Sequence, residues 1–151
     1  MTATAESLSA LLRMGGTDLG ASAWIEVEQG AVDAFAEATG DHQWIHTDVE
    51  RARQGPFGGT IAHGYLTLAM LIPMWSELLQ VEGASMAINY GLNRVRFPAP
   101  VPVGSRIRAS GVLSNVEAIE GGVQVTANLT VEAEGQAKPV CVAEAIFRFY
   151  E

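Results

Sequence analysis

The segment from His63 to Leu79 constrains the fold of this chain more than any other stretch, because it is apolar on nearly every side when drawn as an α-helix. A helix without a polar face is a buried one, so the rest of the chain must cover it. Pro73 lies inside the segment and lacks a backbone N–H, so we expect a bend there. The apolar run is shorter than the roughly 20 residues of a membrane span. It therefore predicts the central helix of a globular core.

The chain after residue 85 changes to the alternation of polar and apolar residues that is typical of β-strands. This alternation is clearest between Val123 and Glu132, where every second residue is apolar. We predict four strands joined by short turns, at Met86–Phe97, Arg106–Val116, Val123–Glu132 and Pro139–Tyr150. Consecutive strands separated in sequence from helices indicate an α+β protein with an antiparallel sheet. We expect this sheet to curve around the central helix.

Shorter elements are predicted before the central helix, and residues 1–151 form a single domain. Residues 1–20 are expected to be an N-terminal helical extension, because the leucines between Ala3 and Met14 have helical spacing. The next elements are a strand at Ser22–Val27, a helix at Ala31–Thr39 that ends at Gly40, and a short helix at Val49–Gln54 capped by Thr47 or Asp48.

Composition excludes several classes of protein. The formal net charge of −8 argues against a nucleic-acid partner, which would need a basic surface. The single cysteine, Cys141, rules out an intrachain disulfide framework and agrees with a reducing compartment. Residues 1–14 lack the apolar core of a signal peptide. We therefore expect a cytoplasmic protein that does not insert into a membrane.

All three histidines of the chain lie between Gly40 and Gly64, together with the carboxylate of Asp41. Asp41 and His46 are five positions apart in a predicted loop, and loops on a rigid scaffold often carry catalytic groups. A carboxylate and an imidazole can hold one water and move its protons as general base and general acid. The alternative is that Asp41 caps the following helix and that His46 is an ordinary polar loop residue.

Gly64 opens the central helix, whose first N–H groups have no intrahelical partner and carry partial positive charge. Such an N–H can stabilise an oxyanion, although Gly64 could equally be a packing glycine. His42, His46 and His63 match no zinc spacing, so no metal site is expected, and His63 could simply cap the helix.

Arginines alternate along two strands that could be neighbours, at Arg94, Arg96, Arg106 and Arg108. They form either a phosphate-binding stripe or solvated charges paired with acidic residues.

Several short motifs connect these observations to a known family. They are Thr39-Gly40-Asp41, Ile45-His46, Ala62-His63-Gly64 and the run from Arg96 to Gly104. With these motifs the chain resembles the MaoC-like dehydratases, the (R)-specific enoyl-CoA hydratases of the hot-dog fold. It departs from the family pattern at Gln43-Trp44, where the family usually has Asn-Pro, and is similar in this to a subgroup that includes nodulation protein N-like proteins.

The resemblance implies a hot-dog domain that pairs with a second copy into a homodimer, and a reaction that adds water reversibly to a 2,3-enoyl thioester. The implied catalytic residues are Asp41, His46 and the backbone N–H of Gly64. The implied substrate-binding residues are Trp44, Phe57, Ile61 and His63, with Arg51 to Thr60 as a wall of the acyl pocket. The partner is an acyl-CoA thioester, and no metal or redox cofactor is needed because coenzyme A enters only as part of the substrate.

Two other functions remain open from the sequence. One is a hot-dog acyl-CoA thioesterase, which generally has an acidic residue on the long helix, where this chain has only Glu77 near the far end. The other is a non-catalytic module that binds acyl thioesters.

Overall fold

A computed structural model describes residues 2–151 of the chain. In chain order the elements are β1 (Ala3–Ala5), α1 (Leu8–Leu11), β2 (Asp18–Ala21), β3 (Ile25–Glu26), α2 (Gln29–Thr39), α3 (Trp44–Thr47), α4 (Val49–Arg53), α5 (Gly64–Leu78), β4 (Leu79–Val81), β5 (Met86–Arg96), β6 (Arg106–Ile119), β7 (Gly122–Ala133) and β8 (Cys141–Tyr150). The central helix and the four long strands are therefore confirmed, with ends shifted by three residues or fewer in most cases.

The four long strands form the body of one antiparallel sheet. Its strand order is β2-β6-β7-β8-β5, and β3 also pairs with β6. The pairs are joined in register, with Val125 opposite Phe147 between β7 and β8 and Ala127 opposite Leu113 between β7 and β6. This arrangement confirms the α+β class and the antiparallel sheet.

Helix α5 packs against one face of this sheet and completes the core. The ring of Trp75 stacks on that of Phe147, with centroids 4.3 Å apart and planes 9° from parallel. Leu71 and Met74 of the same helix are buried, as is Leu113 on the sheet. Full burial of one such side chain contributes about 1.5–3 kcal/mol to stability. The packing of α5 therefore fixes the helix, and with it the position of its first turn.

The prediction that α5 is buried on all sides is wrong for the single chain. Tyr65 is 74% exposed, and Ala69, Pro73 and Ser76 also lie on an exposed face of the helix. The sheet covers only the opposite face of α5. Strand β5 lies at the edge of the sheet, and most of its side chains are exposed as well. The chain thus has a partly apolar surface on the side of α5 and β5.

The predicted N-terminal helix is also wrong over most of its length. Residues Ala3–Ala5 form a strand that pairs in parallel with Leu79–Val81, and helix α1 has only four residues. The side chain of Ser7 accepts a hydrogen bond from the amide of Ala10, which caps α1 and starts it after the strand. Pairing with a distant strand overrides the local helical spacing of the leucines.

The elements that lead to the site differ from the prediction in two places and agree with it in a third. The strand expected at Ser22–Val27 is reduced to the two residues of β3. The cap of α4 is confirmed, because Asp48 accepts a hydrogen bond from the amide of Arg51 at 3.0 Å. Helix α3 was not expected from the sequence.

None of the helices in residues 2–151 combines the length and the apolar composition needed to cross a membrane.

Candidate active site

Asp41 follows directly on the end of helix α2. Gly40 ends this helix in the left-handed conformation, with φ of 79°, and its amide donates to the carbonyl of Ala36. A residue with a Cβ rarely adopts this conformation, so glycine allows the sharp exit. The carboxylate of Asp41 is exposed, and its Oδ1 accepts a hydrogen bond of 3.3 Å from the amide of Gln43. The carboxylate therefore projects from a short, defined turn.

His46 lies on helix α3 and not in a loop, which corrects the prediction. Its side chain is buried, and Nδ1 lies 2.6 Å from the carbonyl oxygen of Ile61. A carbonyl oxygen can only accept, so Nδ1 carries the proton and donates it in this bond. In the neutral ring Nε2 then keeps its lone pair. The bond to Ile61 thus prepares His46 to act as a base through Nε2.

The backbone of His46 is held by two residues that the sequence did not identify. Gln29 Nε2 donates to the carbonyl oxygen of His46 at 2.8 Å, and Thr60 Oγ1 donates to Gln29 Oε1 at 2.6 Å. Thr60 is buried, and Gln29 is partly buried at the start of α2. Neither residue belongs to a recognisable motif. Their roles depend on contacts between residues 17 and 31 positions apart, which local patterns do not contain.

His63 joins this pair from the residue before α5. Its ring stacks on that of His46, with centroids 3.8 Å apart, and its Nε2 lies 2.9 Å from the main-chain oxygen of Asp41. One potential ligand atom from each of Asp41, His46 and His63 lies within 4.8 Å of the others. The structure therefore brings together three of the residues predicted from the sequence.

Gly64 is the first residue of α5 and lies beside this cluster. A Cβ on Gly64 would come within 3.1 Å of the ring of Phe97, so the backbone here is closely covered on that side. Gly64 also lines a cavity of about 240 Å³, together with Phe57, Thr67 and the segment from Phe97 to Val101. The first amides of a helix lack intrahelical acceptors, so an amide donor is available beside a space that can hold a ligand.

The predicted substrate-binding residues have different environments. Phe57 is 47% exposed at the cavity beside Gly64, whereas Ile61 is buried and contacts His46 through its carbonyl group. Trp44 packs on α4 and the turn after it: the guanidinium of Arg51 lies 4.3 Å from its ring, and a Cβ on Gly55 would come within 3.0 Å of it. The contacts of Trp44 therefore support the turn between Asp41 and His46.

His42 lies outside the cluster. It is half exposed, and its Nε2 is 3.6 Å from the carboxylate of Glu37. Two imidazoles and a carboxylate, as offered by Asp41, His46 and His63, are ligand types that Zn²⁺ accepts. The same groups also suit a single water that must give up a proton, which is the chemistry expected from the sequence.

The arginine stripe, one of the two alternatives left open by the sequence, is not formed. Strands β5 and β6 are separated by β7 and β8, so Arg94 and Arg96 lie far across the sheet from the other two arginines. Arg106 forms an ion pair with Glu134, and this hydrogen-bonded pair raises the pKa of Arg106 and lowers that of Glu134. Arg108 forms an ion pair with Glu132. The alternative of solvated, paired charges is therefore confirmed for β6.

The chain is similar in sequence to one family of known proteins. The family described as MaoC like domain matches residues 13–135. The 3-hydroxyacyl-thioester dehydratase Z of Mycobacterium tuberculosis (strain ATCC 25618 / H37Rv) is 56% identical over 147 residues, which are 97% of this chain and 97% of that protein. Nodulation protein N of Rhizobium meliloti (strain 1021) is 46% identical over 143 residues, covering 93% and 89% of the two chains.

The fold is found again in a solved structure. The R-hydratase PhaJ1 from Pseudomonas aeruginosa, in the unliganded form, superposes with a TM-score of 0.74 over 97% of this chain and 86% of that one. The two sequences are 21% identical, so this likeness concerns the fold.

Proposed function

The chain belongs to the MaoC-like domain family and has its hot-dog fold, and from this premise we propose that it is a hydro-lyase, an (R)-specific 2-enoyl-CoA hydratase that also runs as a 3-hydroxyacyl-CoA dehydratase. One observation carries the proposal. The carboxylate of Asp41 and the imidazole of His46 have potential ligand atoms within 4.8 Å of each other, beside the first turn of α5. Because Nδ1 of His46 donates to Ile61, Nε2 keeps its lone pair as a hydrogen-bond acceptor. A carboxylate and an imidazole in this arrangement can bind one water and transfer its protons.

In the proposed reaction, Asp41 and His46 bind one water between them. As an O–H bond of the water breaks, its oxygen forms a bond to C3 of the trans-2-enoyl thioester and the C2–C3 double bond becomes single. The proton taken from the water is returned to C2, so the pair ends the cycle as it began. A positioned acid–base pair of this kind contributes about 10²–10⁴-fold to the rate.

The negative charge that develops on the thioester oxygen needs a donor. We assign this role to the backbone N–H of Gly64, because it opens a fifteen-residue helix and borders the cavity of about 240 Å³. The helix N-terminus adds partial positive charge at the same point. The absence of a side chain on Gly64 lets the substrate approach the amide closely.

A second cavity, of about 200 Å³, lies one turn further along α5 and is suited to an acyl chain. It is formed by α5 together with β5 and β8, and the residues that line it are mostly apolar. Leu68, Ala69, Leu71 and Ile72 of α5 form its wall on the helix side, and the first of these follows Gly64 by four residues in the chain. An apolar cavity beside a few convergent polar groups is the usual form of a ligand site.

The family relatives support the substrate class. The relative that is 56% identical bears the name of a 3-hydroxyacyl-thioester dehydratase, and dehydration is the reverse of the proposed hydration. We propose that the reaction uses no metal or redox cofactor, because hydration is not a net oxidation or reduction and the Asp41–His46 pair supplies the proton transfer.

The structure argues against the thioesterase alternative. Glu77, the only carboxylate on α5, lies in the last turn of the helix, thirteen residues after Gly64 in the chain. Its Oε2 accepts a hydrogen bond of 2.8 Å from the amide of Ala23, which gives this carboxylate a structural partner. We therefore assign no nucleophile or base to α5.

We also propose that two copies pair along β5. The strand is a sheet edge with unpaired backbone groups, and Met86, Ile88, Tyr90 and Leu92 on it are each between 39% and 53% exposed. A second β5 would extend the sheet and cover the exposed face of α5. Ile88→Lys should shift the protein from dimer to monomer in analytical ultracentrifugation. Val112→Lys, at a similarly exposed position on β6, should not, and a wild-type monomer at micromolar concentration would refute the pairing.

The activity is tested with crotonyl-CoA and longer trans-2-enoyl-CoA substrates. We expect loss of the enoyl-thioester absorbance without release of free thiol, and a product that is oxidised only by an (R)-specific 3-hydroxyacyl-CoA dehydrogenase. Thiol release would support a thioesterase instead. Binding of enoyl-CoA without turnover at any chain length would support a non-catalytic module.

A further inference from the structure

His63 is enclosed between two rings in the interior of the site. The imidazole of His46 stacks on one side, with planes 25° apart, and the ring of Phe35 lies at 4.9 Å with planes 56° apart. Only 3% of His63 is exposed. It precedes α5, yet its side chain makes no capping hydrogen bond to the helix. The ring is therefore committed to the Asp41–His46 region and not to the helix end.

The hydrogen bonds of His63 define its tautomer. Its Nε2 lies 2.9 Å from the main-chain oxygen of Asp41, which can only accept, so Nε2 carries the proton. Nδ1 is buried, and within residues 2–151 it has no hydrogen-bond partner. A second proton on Nδ1 would be a buried donor without an acceptor, so the geometry fits the neutral ring. His46 holds the opposite tautomer, with its proton on Nδ1.

The bond from His63 is also the link between Asp41 and the core. The other hydrogen bonds of Asp41 in the described chain are local, to the hydroxyl of Thr39 and from the amide of Gln43. The bond from His63 spans 22 residues and starts from the residue before α5. One side chain thus contacts the ring of one member of the pair and the backbone of the other.

We propose that His63 is a positioning residue of this site: through its Nε2–H it fixes the main chain of Asp41 at the distance from His46 that proton transfer needs. This inference rests on the proposed hydratase function. It replaces the substrate contact that the sequence suggested for His63. Misplacement of a reacting group by about 1 Å can cost about 10²-fold in rate, so loss of the hydrogen bond from His63 to Asp41 should have a measurable effect.

The unpaired Nδ1 of His63 distinguishes a positioning role from a purely structural one. A buried acceptor without a partner destabilises the folded state, and such a group in a native protein calls for a functional reason. His63→Phe removes this acceptor and keeps an aromatic ring between Phe35 and His46, but it loses the donor to Asp41. His63→Gln keeps an N–H near the position of Nε2 and loses the stacked ring.

The test compares both variants with wild type in the hydration of crotonyl-CoA, with His42→Phe as a control at the exposed histidine outside the cluster. We expect His63→Phe to lower kcat by about 10–10²-fold with little change in KM or in the midpoint of urea unfolding. His63→Gln should recover most of kcat, and His42→Phe should match wild type. A His63→Phe enzyme with wild-type kcat would overturn the proposal, as would a His63→Gln enzyme that is equally impaired.

A readout that does not need turnover is the nitrogen-15 NMR spectrum of the imidazoles. We expect Nε2–H for His63 and Nδ1–H for His46 in the wild-type protein, and an unchanged His46 tautomer in His63→Gln. The reverse tautomer at His63 would overturn the proposal even if His63→Phe does not fold. A wild-type protein that shows the expected tautomers but hydrates no enoyl thioester would refute the proposed function, while the hydrogen bond from His63 to Asp41 would still be supported.

Discussion

Replacing Gly64 with alanine tests whether the start of α5 is an oxyanion site or only a place of close packing. The new methyl group would lie 3.1–3.3 Å from three atoms of the Phe97 ring, slightly closer than ordinary contact. Phe97 is 40% exposed, so its ring can move outward by the few tenths of an ångström required. The steric cost to the fold is therefore small.

The effect on stability can be bounded from both sides. Alanine is favoured over glycine inside a helix by about 0.5–1 kcal/mol, chiefly because it restricts the unfolded chain. This gain offsets the displacement of Phe97, so we expect the free energy of unfolding to change by no more than about 1 kcal/mol. Urea unfolding measures this quantity directly.

The effect on activity should be larger. We expect the new methyl group and the displaced Phe97 ring to crowd the approach of the thioester oxygen to the Gly64 amide. Loss of one oxyanion donor costs about 10²–10³-fold in kcat, or about 2.7–4 kcal/mol. Gly30→Ala is the matched control, because Gly30 also lies in the first turn of a helix and a Cβ there meets nothing within 4 Å. A Gly64→Ala enzyme with the kcat of Gly30→Ala would refute the oxyanion assignment.

Three further changes test other parts of the structure. Glu77→Ala should lower the free energy of unfolding by about 1 kcal/mol, because the amide of Ala23 loses its acceptor, and should leave the rate of hydration unchanged in the enoyl assay. Trp44→Ala should destabilise the fold by about 1–3 kcal/mol in urea unfolding; Trp44→Pro should cost less, because position 44 is the first residue of α3, where proline is favoured. Burial raises the pKa of the Cys141 thiol to about 11 from 9.0. Folding stability therefore falls as pH rises from 9 to 11, by about 2 kcal/mol, because the unfolded thiol ionises in this range and the buried thiol does not. Urea unfolding across this range should show that extra loss in wild type and not in Cys141→Val.

The elements predicted correctly from the sequence are those whose pattern is local and long. Helix α5 and strand β7 show their periods over ten residues or more, and Gly40 marks the end of α2 by its conformational freedom. Asp41 and His46, five positions apart, were proposed as an acid–base pair from their residue types and from the family resemblance. Each of these features depends on residues close in sequence.

The features that were missed depend on contacts between distant residues. Strand β1 forms because Ala3–Ala5 pairs with Leu79–Val81, and no property of the N-terminal segment alone indicates that partner. Gln29 and Thr60 hold the backbone of His46 across 17 and 31 positions. The exposed face of α5 could not be predicted from composition. The sequence of an apolar helix does not show whether the helix is covered by the sheet of its own chain or by a second copy of the chain.

The central claim is that Asp41 and His46 together move the protons of one water, and the most direct test is the hydration rate of crotonyl-CoA by Asp41→Asn. This variant keeps the shape of the side chain and its acceptor for the amide of Gln43, but cannot take up a proton. We predict a fall in kcat of about 10²–10⁴-fold with an unchanged unfolding midpoint, and a similar fall for His46→Gln. An Asp41→Asn enzyme that hydrates crotonyl-CoA at the wild-type rate would contradict the account.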